Sequence, residues 1–273
     1  MHTQTKDILY KPAMTDAGLD ASAPVSAVDE FCKLRTSSIA AERPLTLYLE
    51  KREIITLMTL GTQPELLILG WRRNQHMVND IHDIKSIQVD WETESVAVTT
   101  TRPMENIDEK LEKRTITTGC GQGTVFGALM DNIEKIRLPQ VQLKQSTIYD
   151  LLLNLNNYND IYKRAGAVHG CALCYQSDIL QFVEDVGRHN AVDAIAGSMW
   201  LNQVDGGDKL FYTTGRLTSE MVIKVAQMGI PILLSRSGVT QMGRELARKV
   251  GVMLIARAKG RHFLVYNGTE CIS

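Results

Sequence analysis

Two rhythms divide this chain of 273 residues and predict an α/β protein, a small α+β unit followed by a larger domain in which strands and helices alternate. Between Pro44 and Leu60 apolar residues recur at every second position, the spacing of half-buried strands. From Ser146 onward, short apolar runs alternate with helical segments closed by glycine, which implies a mostly parallel sheet covered by helices on both faces. The 44% apolar and 22% charged content supplies core enough for one large or two modest domains.

Residues 1–28 mix Ala, Ser, Pro, Asp and Thr without periodicity and are expected to form a flexible arm. Residues 29–112 make the small α+β domain. There Leu45, Leu47 and Leu49 share one face of a first strand, and Ile55 and Leu57 continue it after the turn at Lys51-Arg52. A helix over Pro64 to Trp71 and strands near Ile84–Trp91 and Ser95–Thr101 complete the unit, and a charged linker runs from Glu105 to Arg114. Residues 113–145 are expected as a mobile loop carrying Cys120.

The α/β domain occupies residues 146–273. Ser146 or Thr147 is placed to cap a helix that buries Leu151, Leu152 and Leu155. Strands over Ala167–Tyr175 and Ile179–Glu184 flank the polar turn Gln176-Ser177-Asp178. Asn190 is placed to cap the next helix, with Asp193 at its third position. Strands over Lys209–Thr213, Ile230–Ser235 and Val252–Ala256 then alternate with helices over Ser219–Gln227 and Thr240–Val250, closed by Gly229 and Gly251.

Composition excludes several classes of function. A net charge of −1 gives no general attraction to nucleic acid. Five irregularly spaced cysteines argue against a secreted disulfide scaffold, the first 33 residues lack the pattern of a signal peptide, and no apolar stretch has the length of a membrane span. A cytoplasmic protein is expected.

Cys120 lies in Thr117-Thr118-Gly119-Cys120-Gly121-Gln122-Gly123-Thr124, where glycines leave the thiol little cover and let the backbone approach a ligand. A reachable thiol can act as a nucleophile or sulfur carrier when its thiolate is supported; a loop cysteine without a role is the plain alternative. Three strand-to-loop junctions carry further signals: Glu184 to Asn190 with Arg188 and His189, Thr213-Thr214-Gly215-Arg216, and Ser235-Arg236-Ser237-Gly238. Open α/β sheets bind ligands beyond the carboxyl ends of their strands, and arginines beside hydroxyls and glycine suit an anion there. Arg257-Ala258-Lys259-Gly260-Arg261-His262 is locally basic and suits a polyphosphate, against the alternative of a solvated face. His169, Cys171 and Cys174 have the look of a metal set. On a strand, however, residues three apart face opposite sides, so buried cysteines and no zinc are expected.

These motifs resemble the formate dehydrogenase accessory (FdhD) family. The resemblance rests on Glu42-Arg43-Pro44-Leu45-Thr46-Leu47, the Cys120 loop, Ala165-Gly166-Ala167-Val168-His169, the run from Glu184 to Asp193, Thr214 to Val222 and Ser235 to Thr240. It implies a cytidine deaminase-like three-layer α/β/α domain without zinc chemistry, attached to the smaller domain. It also implies a sulfur carrier that accepts sulfur from a cysteine desulfurase as a persulfide on Cys120. The recipient would be the bis(molybdopterin guanine dinucleotide) molybdenum cofactor destined for formate dehydrogenase. A homodimer is implied as well, with the cofactor's guanine nucleotide parts, mimicked by GDP, on the α/β domain and the family's cofactor segment falling on Arg257 to His262.

Two departures accompany the resemblance. The family carries a second loop cysteine where this chain has Gly123, and threonine-glycine-glycine before the histidine where this chain has Arg164-Ala165-Gly166-Ala167. Two readings therefore stand: a sulfurtransferase acting through Cys120, or a chaperone that binds the cofactor without sulfur transfer.

Overall fold

A computed structural model describes residues 9–102, 115–116, 123–124, 133 and 136–273. The first unit is a five-stranded sheet in the order β1-β6-β7-β4-β5 with one helix. Its strands are β1 (Ala13–Met14), β4 (Arg43–Leu49), β5 (Arg52–Thr59), β6 (Ile84–Asp90) and β7 (Ser95–Thr100), and its helix is α1 (Pro64–Asn74). Leu45, Leu47 and Leu49 point into the core as the alternation requires. On β5 the register shifts opposite Leu47 and Tyr48, so that Ile54 is buried with Leu57 while Ile55, the expected core residue, is only half-buried. A bulge of one residue moves every side chain before it to the other face.

Of the segment expected as a flexible arm, residues 9–28 are described, and their first part is tied down. β1 pairs in parallel with β6, the Tyr10 hydroxyl donates to the Ile84 carbonyl, and the Ala17 amide donates to Glu65 Oε1 at 2.8 Å. Residues 22–40 form an antiparallel hairpin, β2 (Ser22–Val28) and β3 (Leu34–Ala40), with Phe31 exposed at its turn. Neither strand buries one face against a core, which removes the alternation that sequence reading relies on.

Beyond the short ladder of β8 (Thr115–Ile116) and β9 (Gly123–Thr124), the second unit begins with helices α2 (Gln145–Asn154) and α3 (Asp160–Ala165). It continues with β10 (His169–Tyr175), β11 (Asp178–Asp185), α4 (Arg188–Leu201), β12 (Leu210–Thr213), α5 (Ser219–Gln227), β13 (Ile232–Ser235), α6 (Gln241–Val250), β14 (Met253–Lys259) and β15 (His262–Asn267). The sheet order is β11-β10-β12-β13-β14-β15. Only β12, β13 and β14 pair in parallel, so the sheet is mixed rather than mostly parallel. The cause lies in the connections: the tight turns at Gln176-Ser177 and Gly260-Arg261 can join only antiparallel neighbours. Apolar residues of α4, α5 and α6 cover one face, and those of α2 and the C-terminal residues cover the other.

Helix ends follow the sequence in part. Thr240 accepts a hydrogen bond from the Gly243 amide, and Gly251 closes α6 with φ +79°. Lys144 rather than Ser146 or Thr147 precedes α2, and Gly187 rather than Asn190 precedes α4, each without a side-chain cap. The two units share one continuous core, because α1 and α4 touch through backbone. A Cβ on Gly70 would lie 1.8 Å from the Asp193 carbonyl oxygen, and one on Gly197 would lie 2.1 Å from that of Leu66.

Candidate functional site

The three parallel strands finish at one end of the α/β sheet. The antiparallel register brings the start of β10 and the end of β11 there too, since His169 pairs with Asp185 and Cys171 with Thr213. The loops at this end enclose a cavity of about 540 Å³, a size suited to a small ligand. Asn159, Tyr162, the 166–170 segment, Val186, Thr214, Arg236 and Ser237 line it.

The junction hydroxyls divide into two roles. Thr213 and Ser235 are fully buried and shape the loops: the Thr213 hydroxyl accepts from the Gly215 amide at 3.1 Å, and Ser235 donates to the Gly215 carbonyl at 2.6 Å. Thr214 and Ser237 are the hydroxyl residues left at the cavity. His169 Nδ1 lies 3.3 Å from Thr214 Oγ1. Burial, with Arg188 and Arg216 close by, pushes the imidazole pKa down, so near neutral pH it is an uncharged hydrogen-bonding group.

The run from Glu184 to Asn190, expected to contact an anion, is mostly absorbed by structure. Glu184 receives the Ile161 and Tyr162 amides, both at 2.9 Å, and so fixes α3 against the cavity. Asp185 accepts from the Thr59 hydroxyl at 2.6 Å and from Asn190 Nδ2 at 2.8 Å, while Asn190 Nδ2 also reaches the Met58 carbonyl. These contacts lock the end of β5 to the larger unit. Burial pushes the Asp185 carboxyl up, and the hydrogen bonds from Thr59 and Asn190 pull against it.

His189 is buried with Nε2 3.1 Å from Glu220 Oε2. Burial, together with the charges of Lys224 and Arg188, pushes its pKa well below the ordinary value and keeps it neutral. Arg188 is buried beside the cavity loops, and a Cβ on Gly215 would lie 2.5 Å from its Cδ, so glycine there makes room for the arginine stem.

Arg216 and Arg236 are exposed, with Arg236 at the cavity wall. Arg257 is exposed too, and its amide donates to the Ser237 carbonyl at 2.8 Å, joining the basic stretch to the same loop cluster. Beyond it Ala258 is buried, and Lys259, Gly260, Arg261 and His262 form the exposed turn between β14 and β15. Arg261 stacks over Tyr149 of α2, 5.8 Å from the ring centre. Cys120 lies outside the described residues.

Cys171 and Cys174 sit in different core clusters on the two faces of the sheet, as strand geometry predicts. Burial pushes both thiols up to about 12, so neither supplies a thiolate near neutral pH. The sequence marks His169 as a metal candidate and Val186 and Thr214 only as members of their junction runs, while Asn159 and Tyr162 carry no signal of their own. The usable signal was the strand start after Gly166, opposite a polar strand end.

The larger unit is thus a mixed open α/β sheet with a cavity at the ends of its parallel strands and Arg236 at the cavity wall. The FdhD/NarQ family matches residues 40–273, and the chain belongs to that family. Relatives named sulfur carrier protein FdhD include one from Wolinella succinogenes, 28% identical over 229 residues that cover 84% of this chain and 80% of the relative. Another, from Listeria monocytogenes, is 29% identical over 240 residues, covering 87% and 92%. The Bacillus subtilis relative is 29% identical over 236 residues, covering 86% and 90%. The crystal structure of a protein described as a formate dehydrogenase accessory protein, from Desulfotalea psychrophila, superposes with a TM-score of 0.72 at 26% identity. The match covers 92% of this chain and 98% of that one.

Proposed function

We propose that this chain is a sulfur carrier that takes sulfur from a cysteine desulfurase as a persulfide on Cys120. It passes that sulfur to a bis(molybdopterin guanine dinucleotide) molybdenum cofactor during formate dehydrogenase maturation. The observation that carries the reading is the sheet-end cavity, with Arg236 at its wall and Arg188 buried beside it, in a chain whose relatives are named sulfur carriers. Arginine at an open-sheet end is suited to the phosphates of a guanine nucleotide arm, and the Thr214 and Ser237 hydroxyls to hydrogen bonding it. In this reading the larger unit is a cytidine deaminase-like three-layer α/β/α domain without zinc, and the protein works as a homodimer in the cytoplasm.

The sulfur step follows thiol exchange. The Cys120 thiolate attacks the outer sulfur of the desulfurase persulfide; that S–S bond breaks, the desulfurase thiolate leaves, and the outer sulfur is now bound to Cys120. Release of the outer sulfur as sulfide takes two electrons. A second loop thiol could supply them by closing a disulfide; Gly123 cannot, so a thiol from solution or from a partner is the reductant. A cofactor chaperone without sulfur transfer is the second reading, and Gly123 is the observation that favours it.

Calorimetry with GDP tests the cavity. Binding is expected, and Arg236→Ala should weaken it by about tenfold or more, roughly 1.4 kcal/mol. Absence of heat at millimolar nucleotide overturns the cofactor site. Sulfide release from Cys120 after incubation with a desulfurase and cysteine separates the carrier from the chaperone.

A further inference from the structure

Helix α3 is held differently from its neighbours. Asn159, Tyr162 and Gly166, on and beside it, form part of the wall of the sheet-end cavity. Yet none of its six residues is buried, whereas α2 buries Ile148, Leu151 and Leu152 and α4 buries most of its length. A helix this short is marginal alone, because its few internal hydrogen bonds do not offset the cost of nucleation. Its position depends on attachments from outside.

The main attachment is Glu184, buried near the end of β11. Its two carboxylate oxygens accept the Ile161 and Tyr162 amides separately, each at 2.9 Å. First-turn amides have no acceptor within their own helix, so one carboxylate both completes α3 and ties it to the sheet. Just before the helix, the Tyr158 ring lies 5.1 Å from that of Phe182, also on β11. α3 also lies against β3, part of a hairpin whose strands bury no residue.

Both ends of α3 turn through left-handed residues, Asn159 at φ +67° and Gly166 at φ +79°. Gly166 stands in open space, since a Cβ there would meet nothing within 4 Å. Positions at the ends of an element absorb the dihedral change when it swings as a unit. Local opening is easiest where few apolar contacts are lost.

We propose that α3 is a hinged wall of the sheet-end cavity, turning on Asn159 and Gly166, and that Glu184 is the latch that holds it closed. Opening releases two amide bonds and widens the way past Tyr162; closing returns Asn159 and Tyr162 to the cavity wall. Glu184 is a positioning residue that acts through those amides. The inference rests on the cavity being the binding site, whichever ligand enters it, and its test uses no ligand.

The test compares wild type with Glu184→Gln, which sets an NH₂ group against one of the two amides. Hydrogen exchange followed by mass spectrometry should show the amides of residues 160–166 exchanging about tenfold faster in the variant, with α2, α4 and β10 unchanged. In a Ser237→Cys background, mapped by peptide mass, a bulky maleimide should label position 237 about tenfold faster once Glu184→Gln is added, while iodoacetamide changes less than threefold. Circular dichroism melts check folding; if Glu184→Gln does not fold, Tyr158→Ala decides, with a gain of about threefold over the same residues. Unchanged exchange over 160–166 in a folded variant overturns the hinge. Equal acceleration in α2 and β10 overturns it as well, since α3 would then open only with the scaffold. Equal gains for the bulky and the small reagent overturn the wall, because no size barrier would have moved. None of these outcomes bears on whether GDP binds, so the proposed function fails or stands separately.

Discussion

Asp185, Asn190, Asp193 and Lys224 are nearly inaccessible to solvent, and each is held by a charged or hydrogen-bonding partner in the interior. Arg216 and Arg236, on loops beyond the parallel strands, and Arg257, near the end of β14, are exposed. In the sequence Asp185 and Asn190 lie in the same kind of strand-to-helix junction as Arg216 and Arg236, and all four look suited to a ligand. Burial separates them. The inner layer joins α1 and β5 to the α/β domain, and the outer layer remains available for an anion. A polar junction motif is thus not a binding site as a whole, since some of its members hold the scaffold on which the others are displayed.

The sharpest way to break this division is to remove one inner charge. Lys224 Nζ lies 2.7 Å from Asp193 Oδ2, with both side chains almost wholly buried. Lys224→Met leaves the Asp193 carboxylate without its cation and should cost about 3–5 kcal/mol in denaturant unfolding. Asp193→Asn/Lys224→Met removes both charges and should recover part of that loss. If Lys224→Met unfolds like wild type, the inner layer is not a brace.

A change beneath the outer layer should act on binding and spare stability. Gly215→Ala forces the Arg188 stem to shift, because the new methyl would lie 2.5 Å from Cδ. Since the obstacle is a flexible side chain, unfolding should change by about 1 kcal/mol or less, while GDP affinity should fall several-fold. A larger loss of stability than of affinity would assign Gly215 to the scaffold.

The smallest effect concerns pH. His189 has a folded pKa well below its unfolded value of 6.5, so its contribution to stability is full above pH 6.5 and is lost as pH falls below it. Asp185 and Asp193, raised by burial, act in the opposite sense, so the comparison must be between wild type and His189→Gln. The melting temperature of wild type should fall more steeply than that of the variant between pH 7 and about pH 5. Parallel curves would mean that His189 stays uncharged without cost.

Much of this architecture was legible in the sequence because each segment carries one dominant signal. The leucines of β4 and Gly251 after α6 were each read in place. The hairpin over 22–40 was not legible, since neither of its strands buries a face. The bulge at Ile54 was not legible either, because a register shift leaves no mark in an alternating run. At the site, the arginines and hydroxyls stood out by type, but the partition between Thr213 and Thr214, or Ser235 and Ser237, depends on which face of the loop each occupies. His169 reaches the cavity through the pairing of β10 with β12, a strand distant in the chain, which no local pattern records.

Intact-mass analysis after incubation with a cysteine desulfurase and cysteine tests the central claim most directly. The chain should gain one sulfur atom that maps to the peptide containing Cys120. That gain should persist in Cys171→Ser and Cys174→Ser, whose thiols are buried and held up to about 12, and vanish in Cys120→Ser. A sulfur adduct that survives in Cys120→Ser, or maps to another cysteine, would contradict sulfur transfer through this residue.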